Sequence, residues 1–91
     1  MPKILRHKAF LKDFRSVRLT DGQFEKLIDY LALIKEAKPL PSQAQDHTLK
    51  GEWQDFRECH LGGDMLLIYW VDTASDQVTL TRLGTHSELF G

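Results

Sequence analysis

Four residues of this 91-residue sequence are of types that could transfer protons in a reaction, three histidines and one aspartate: His47, His60, Asp64 and His86. An imidazole changes its protonation state near neutral pH, so it can act as a general acid or a general base. All four residues lie at the ends of predicted segments, and each taken alone would be an ordinary surface or turn residue. Together they predict a His/Asp site.

The turn at residues 62–63, Gly-Gly, decides whether His60 and Asp64 meet. A two-residue loop pairs Leu61 with Asp64, which places Asp64 on the opposite sheet face from His60. A three-residue loop, with a glycine in the left-handed conformation, pairs His60 with Asp64 on one face. Period-two alternation also places Glu58 on the face of His60. A shared site predicts the three-residue loop.

Two amphipathic helices are predicted in the first half, after a short strand at residues 3–8. The first covers about residues 9–18, and helical spacing predicts a buried side made of Phe10, Phe14 and Val17. The second begins at a capping box of Thr20 and Gln23 and is stopped by Pro39 and Pro41. Its predicted buried side consists of Phe24, Leu27, Ile28, Leu31 and Ile34.

Three strands are predicted in the second half: residues 53–61 starting at Trp53, the apolar run 65–71, and residues 77–83. A continuous apolar run suits a central strand that is covered on both faces. The fold class is therefore α+β, as a single domain over residues 1–91. It consists of an N-terminal strand, a two-helix hairpin and a three-strand antiparallel meander, with the helices on one sheet face.

Composition excludes several classes of protein. The single cysteine, Cys59, rules out an internal disulfide framework and a multi-cysteine zinc site. The sequence contains neither a signal-peptide pattern nor an apolar run of about 20 residues, so we expect a cytoplasmic, membrane-independent protein. Residues 1–45 hold nine basic and five acidic residues, and residues 46–91 hold three and eight. A basic face built from the N-terminal half is therefore possible despite the net charge of −1.

The second half also carries three motifs in a fixed order. They are Asp-His-x-Leu-x-Gly-x-Trp at residues 46–53, Arg-Glu-x-His at 57–60, and Arg-x-Gly-Thr-His-x-x-Leu-Phe at 82–90. This half of the chain resembles the YafQ-type toxins of the RelE/ParE superfamily. The resemblance implies a RelE-like fold and a bacterial toxin that cleaves mRNA on the ribosome without a metal or other cofactor. It also implies a cognate antitoxin as partner.

The resemblance implies functional roles for a defined set of residues: His47, Glu58, His60, Asp64, Arg82, His86 and Phe90. We expect His86 to act as general acid and His60, assisted by Asp64, as general base, although the two roles could be exchanged. Arg82 would stabilise phosphate charge, and His47 would contribute charge or positioning.

Two further surfaces are candidates for RNA contact. Phe90 is either a platform on which a base stacks or a hydrophobic plug that holds the tail to the sheet. Lys8, Lys12 and Arg15 share one side of the first helix and form either a basic ridge that binds rRNA phosphates or an ordinary solvent-exposed face.

Two other functions compete with the ribonuclease. Three histidines and an aspartate could bind zinc, but no pair has the i, i+4 helical spacing of a metalloprotease. A ParE-like toxin would inhibit a protein target such as gyrase without any catalysis, because the same fold serves both functions. Such an inhibitor has no need for His60, Asp64 and His86 together.

Overall fold

The continuous apolar segment of the second half forms the central strand of a sheet. The computed structural model describes residues 1–51 and 55–91. Its strands are β1 (Lys3–Arg6), β2 (His47–Thr48), β3 (Phe56–Gly62), β4 (Met65–Asp72) and β5 (Gln77–Thr85). They are ordered β1-β5-β4-β3-β2, with β1 parallel to β5 and the other neighbours antiparallel. Residues Met65–Tyr69 of β4 are all buried, as a strand covered on both faces requires. The prediction is wrong for the end of the run, because Trp70 and Val71 are exposed.

The predicted α+β architecture is confirmed, with additions at the ends of the meander. The sequence-based assignment missed the short strand β2 and a C-terminal helix, α3 (His86–Phe90). A capping box of Thr85 and Glu88 starts α3, so a signal for this helix was present. The predicted strand start at Trp53 lies outside the described residues.

The first helix, α1 (Lys8–Ser16), packs its predicted apolar side on the sheet in part, and Val17, which follows the helix, is partly buried against the core. Phe10 is buried, but Phe14 is 44% exposed and stacks on the Phe10 ring with centroids 5.8 Å apart. The side of α1 that faces β5 also includes Asp13, whose carboxylate accepts a hydrogen bond from the backbone N–H of Leu83. The prediction that Phe14 is buried is wrong, because α1 contacts the sheet through Phe10 and Asp13 and leaves Phe14 at the surface.

The second helix, α2 (Asp21–Lys35), begins at the predicted capping box of Thr20 and Gln23, with both reciprocal hydrogen bonds present. Its buried residues are Leu27, Tyr30 and Ile34, while Leu31 is partly buried. Phe24 and Ile28 are 48% and 51% exposed, so their predicted burial is wrong. The sheet covers a narrower arc of this helix than the apolar pattern indicates.

The main hydrophobic core lies between the helices and one face of the sheet. From the strands it contains Cys59, Leu61, Met65, Leu67, Tyr69, Val78, Leu80 and Leu83, and from the helices Phe10, Leu27, Tyr30 and Ile34. Burial raises the pKa of the Cys59 thiol to about 12, which keeps it protonated. Among the described residues no helix combines the length and apolarity that crossing a membrane demands.

The β3–β4 hairpin adopts neither of the two predicted registers. Gly62 pairs with Met65, which leaves residues 63–64 as the turn, and His60 pairs with Leu66. A bulge between His60 and Gly62 adds one residue to β3. Gly63 has φ of 59°, a conformation that glycine adopts without steric cost. The prediction that His60 pairs with Asp64 is therefore wrong.

Candidate active site

The candidate site lies on the sheet face opposite the main core. Paired residues of neighbouring strands point their side chains to the same face. Glu58 pairs with Ile68, and Ile68 pairs with Arg82, so these three share one face. By the same rule His60 lies on this face, together with Leu66 and Gly84. The sheet face that the two predicted helices do not cover therefore carries Glu58, His60 and Arg82.

His47, Glu58 and His60 come together at the β2–β3 edge of this face. His47 pairs with Glu58 in the β2–β3 ladder, and its Nε2 lies 3.0 Å from Oε2 of Glu58. The ring centroids of His47 and His60 are 6.3 Å apart. One nitrogen or oxygen from each of the three residues lies within 4.8 Å of the others. Two stretches that are distant in sequence thus build one compact group.

The hydrogen bonds of His47 determine where its protons lie. Its Nδ1 is 2.6 Å from the backbone carbonyl of Gln45, and since a carbonyl only accepts, Nδ1 carries a proton. A neutral ring would then direct the Nε2 lone pair at the carboxylate of Glu58. Nε2 of His47 lies 3.0 Å from Oε2 of Glu58. The ring is therefore held between the Gln45 carbonyl on one side and the Glu58 carboxylate on the other.

Glu58 is the only charged residue among the buried ones in the described part of the chain, with 6% of its surface exposed. Its Oε2 contacts His47, while its Oε1 has no hydrogen-bond partner among the described residues. Burying a carboxylate oxygen without a partner costs free energy, so such an atom is uncommon in a purely structural position. An acceptor of this kind suits a site that receives a proton or a hydroxyl group from a ligand.

Asp64 and His86 lie together at the hairpin end of the sheet. Met65 pairs with Thr85, so Asp64 directly precedes this pair and His86 directly follows it. Asp64 occupies the exposed turn, and His86 is the exposed first residue of α3. The ring of His86 lies 5.1 Å from that of Phe90, one turn further along the helix. Phe90 is itself 39% exposed.

The helix α3 packs against the site face at Gly84. A Cβ atom at this position would lie only 3.1 Å from Cδ2 of Leu89 and 3.3 Å from Oε1 of Glu88. The absence of a side chain thus allows α3 to approach the strand closely. The Glu88 carboxylate accepts the backbone N–H of Thr85, and this hydrogen bond lowers the pKa of Glu88. These contacts hold His86 beside the sheet.

Arg82 is bound by a residue that the sequence analysis did not select. Its Nε and Nη2 donate to the two carboxylate oxygens of Asp13, at 2.7 and 3.2 Å. Burial opposes ionisation of Asp13, but hydrogen bonds from Arg82 and the Leu83 N–H outweigh it, so the pKa of Asp13 is lowered. Arg82 is therefore held in place, and the Asp13 carboxylate neutralises part of its charge.

The predicted site residues thus fall into three groups. His47, Glu58 and His60 lie within 4.8 Å of one another, Arg82 is on their face and is held by Asp13, and Asp64 and His86 occupy the hairpin end. The basic residues of α1 (Lys8, Lys12 and Arg15) are all exposed. Asp13 lies three residues after Phe10 on α1, and its partner Arg82 is 69 residues further along the chain. No local sequence pattern could therefore have identified Asp13.

The group of His47, Glu58 and His60 also has the donor atoms that a transition metal binds. Imidazole nitrogens and a carboxylate oxygen suit zinc or copper, and one atom from each residue lies within 4.8 Å of the others. A metal at this position would bind the deprotonated nitrogen and oxygen atoms, so any proton on them would have to leave first.

Comparison with known proteins places this geometry in a family. The family model described as a bacterial toxin of type II toxin–antitoxin systems, YafQ, matches residues 2–91. The chain belongs to this family. The resemblance of its second half to the YafQ-type toxins is thereby confirmed and extends to the N-terminal half.

Relatives of this YafQ-family chain cover nearly all of its length. An mRNA interferase toxin YafQ from Escherichia coli (strain B / BL21-DE3) is 34% identical over 84 residues, which are 90% of this chain and 88% of that protein. The chain of the E. coli DinJ–YafQ complex structure superposes with a TM-score of 0.85 at 32% identity, covering 100% of both chains. A copper-bound mutant toxin from Helicobacter pylori superposes with a TM-score of 0.83 at 41% identity, covering 99% and 100%. The YafQ-family fold is thus shared over the whole chain.

Proposed function

We propose that this toxin is an endoribonuclease that cleaves mRNA by histidine general acid–base catalysis. The convergence of His47, Glu58 and His60 on one sheet face, with His86 and Arg82 bordering it, carries the proposal. The names of its relatives support the same activity, since E. coli YafQ is named an mRNA interferase toxin. An inhibitor that only binds a protein target would have no use for a buried carboxylate 3.0 Å from an imidazole nitrogen.

The chemistry needs no metal because RNA supplies its own nucleophile. A general base removes the proton from the 2′-OH, and the 2′ oxygen attacks the adjacent phosphorus. The bond between phosphorus and the 5′ oxygen breaks while a general acid protonates that oxygen. The products are a 2′,3′-cyclic phosphate and a free 5′-OH. Cations near the phosphate stabilise the negative charge that develops in the transition state.

The two ends of the site divide these roles. His60, beside the His47–Glu58 pair, is the base, and His86 at the hairpin end is the acid. The backbones of β3 and β5 are separated by two strand spacings, about 10 Å, which leaves room for a phosphodiester between the two imidazoles. Arg82 of β5, which Asp13 holds in place, contributes positive charge to this face. Asp64 belongs to the hairpin end of the site, where His86 lies, and it does not assist His60 as the sequence analysis expected.

Contacts outside the reacting atoms would orient the RNA. Phe90, 39% exposed and adjacent to the His86 ring, offers a surface on which a base can stack. The exposed Lys8, Lys12 and Arg15 would bind phosphates of the ribosomal RNA, which makes the interaction weaker at high salt.

A cognate antitoxin is the expected protein partner, as the DinJ–YafQ complex indicates for the E. coli relative. Phe14, Phe24 and Ile28 are exposed apolar side chains of α1 and α2. Such residues are suited to burial against another protein.

Primer extension on mRNA translated in a cell-free system tests the proposed activity. We expect new 5′ ends within the coding region when the purified toxin is added. Free 5′-OH ends and cyclic phosphates support the mechanism. Intact mRNA together with inhibited DNA gyrase would replace the proposal with the ParE-like alternative.

A further inference from the structure

Asp46, the residue before His47, is held by two side chains. Arg57 donates from Nε to Oδ1 and from Nη2 to Oδ2 of Asp46, both at 3.1 Å. The Tyr69 hydroxyl donates to Oδ1 at 2.6 Å. A bidentate guanidinium–carboxylate pair is directional as well as strong, so it fixes the plane of the carboxylate. The position of Asp46 is therefore determined by two strands, β3 and β4.

Asp46 and its two donors, Arg57 and Tyr69, form a clamp. The protonation states of the two donors keep its hydrogen bonds intact. Burial raises the pKa of the Tyr69 hydroxyl, and its hydrogen bond to Asp46 raises it further, so the hydroxyl remains a donor. The hydrogen bond to Asp46 likewise raises the pKa of Arg57. Both donors keep their protons throughout the neutral range.

The clamp lies directly behind the candidate site. Arg57 and Glu58 are consecutive on β3, so their side chains point to opposite faces, and the side chain of Tyr69 belongs to the main core on the helix side. Asp46 therefore binds Arg57 behind the sheet, while His47 contacts Glu58 in front of it. The Asp46–Arg57 pair and the His47–Glu58 pair therefore hold the same edge segment from opposite faces of the sheet.

The segment needs such an anchor because its own secondary structure is minimal. Strand β2 has only two residues, His47 and Thr48, and lies at the edge of the sheet. Gln45, whose carbonyl accepts the Nδ1 proton of His47, has a left-handed backbone with φ of 49°. A non-glycine residue in this conformation persists only where its surroundings hold it.

We propose that Asp46, held by Arg57 and Tyr69, is a positioning residue that fixes His47 against Glu58. The clamp sets the backbone at Asp46, which directs the Gln45 carbonyl to Nδ1 and leaves Nε2 facing the carboxylate of Glu58. The inference about catalysis rests on the proposed ribonuclease function. The inference about geometry does not, because the state of the His47 ring is measurable without RNA.

The test compares Asp46→Asn and Tyr69→Phe with Asp29→Asn, a matched change on the exposed surface of α2. Long-range ¹H–¹⁵N spectra of histidine-labelled protein report the protonation of each ring nitrogen. We expect the His47 signals to move in both clamp variants while the His86 signals stay in place. In a translation-coupled cleavage assay we expect kcat to fall on the order of 10- to 100-fold for Asp46→Asn with KM nearly unchanged, because a displaced catalytic group loses rate and not binding.

The outcomes separate the two claims. Unmoved His47 signals in both variants would overturn the clamp, whatever the rate does. Moved His47 signals with an unchanged rate would support the clamp and count against a catalytic role for His47. Tyr69→Phe removes one hydroxyl and keeps the aromatic ring in the core, so it decides the question even if Asp46→Asn does not fold.

Discussion

Nε2 of His47 and Oε2 of Glu58 lie 3.0 Å apart across the β2–β3 ladder. The carboxylate is buried, whereas half of the His47 side chain is exposed, at 50%. The buried partner thus holds the exposed imidazole at the surface where a substrate would arrive.

Glu58→Gln removes the carboxylate and keeps the shape of the side chain. We expect the cleavage rate to fall by about 10²-fold, because the carboxylate that orients His47 is lost. Single-turnover cleavage of a reporter mRNA measures the effect. The matched change Glu25→Gln on the exposed surface of α2 should leave the rate unaltered. Equal rates for both variants would remove Glu58 from the mechanism.

His86→Ala tests the proposed general acid. His86 is exposed, so we expect the variant to keep its fold and to bind the antitoxin as the unchanged toxin does. Loss of a general acid slows a reaction by about 10²–10⁴-fold, which would abolish toxicity in cells. Growth after induction, together with antitoxin binding by calorimetry, checks both halves of the expectation. A fully toxic variant contradicts the assignment.

Asp13→Asn weakens the contact that holds Arg82. Because the folded protein lowers the pKa of Asp13 below 3.8, ionised Asp13 contributes its full stability above that pH and loses it as the pH falls through the lower folded-state value. We expect the variant to be less stable by about 1–2 kcal/mol at pH 7. The difference from the unchanged protein should shrink below pH 3.8. Urea unfolding at several pH values measures it, and a difference independent of pH would argue against the ion pair.

Gly84→Val tests whether the close packing of α3 positions His86. A Cβ at Gly84 would lie 3.1 Å from Leu89, so a branched side chain should push α3 off the sheet at a cost of about 1–3 kcal/mol. We expect faster hydrogen exchange in residues 86–91 and a large loss of cleavage. Gly22→Val is the control, because a Cβ there has its nearest neighbour at 4.0 Å. Unchanged exchange in the Gly84 variant would show that α3 does not depend on this contact.

Several elements could be predicted because their signals are local. The capping box of Thr20 and Gln23 starts α2, and the apolar run at residues 65–71 lies in the central strand β4, which spans Met65–Asp72. The buried sides of the helices were predicted less well, as the exposure of Phe14 and Ile28 shows. Periodicity marks every apolar position of a helix, but only the contact with the sheet decides which of them are covered.

The sequence alone determined the types of the main elements, the family, and the identities of the histidines and acids proposed for the site. Tertiary structure decided how they are paired: a bulge after His60 set the hairpin register, and the β2–β3 ladder joined His47 to Glu58. It also supplied Asp13 and Asp46, whose partners are 69 and 11 residues away. The reason is physical. Local patterns reflect neighbours within a turn or a strand, whereas a hydrogen bond between distant residues depends on how the whole sheet and its helices pack.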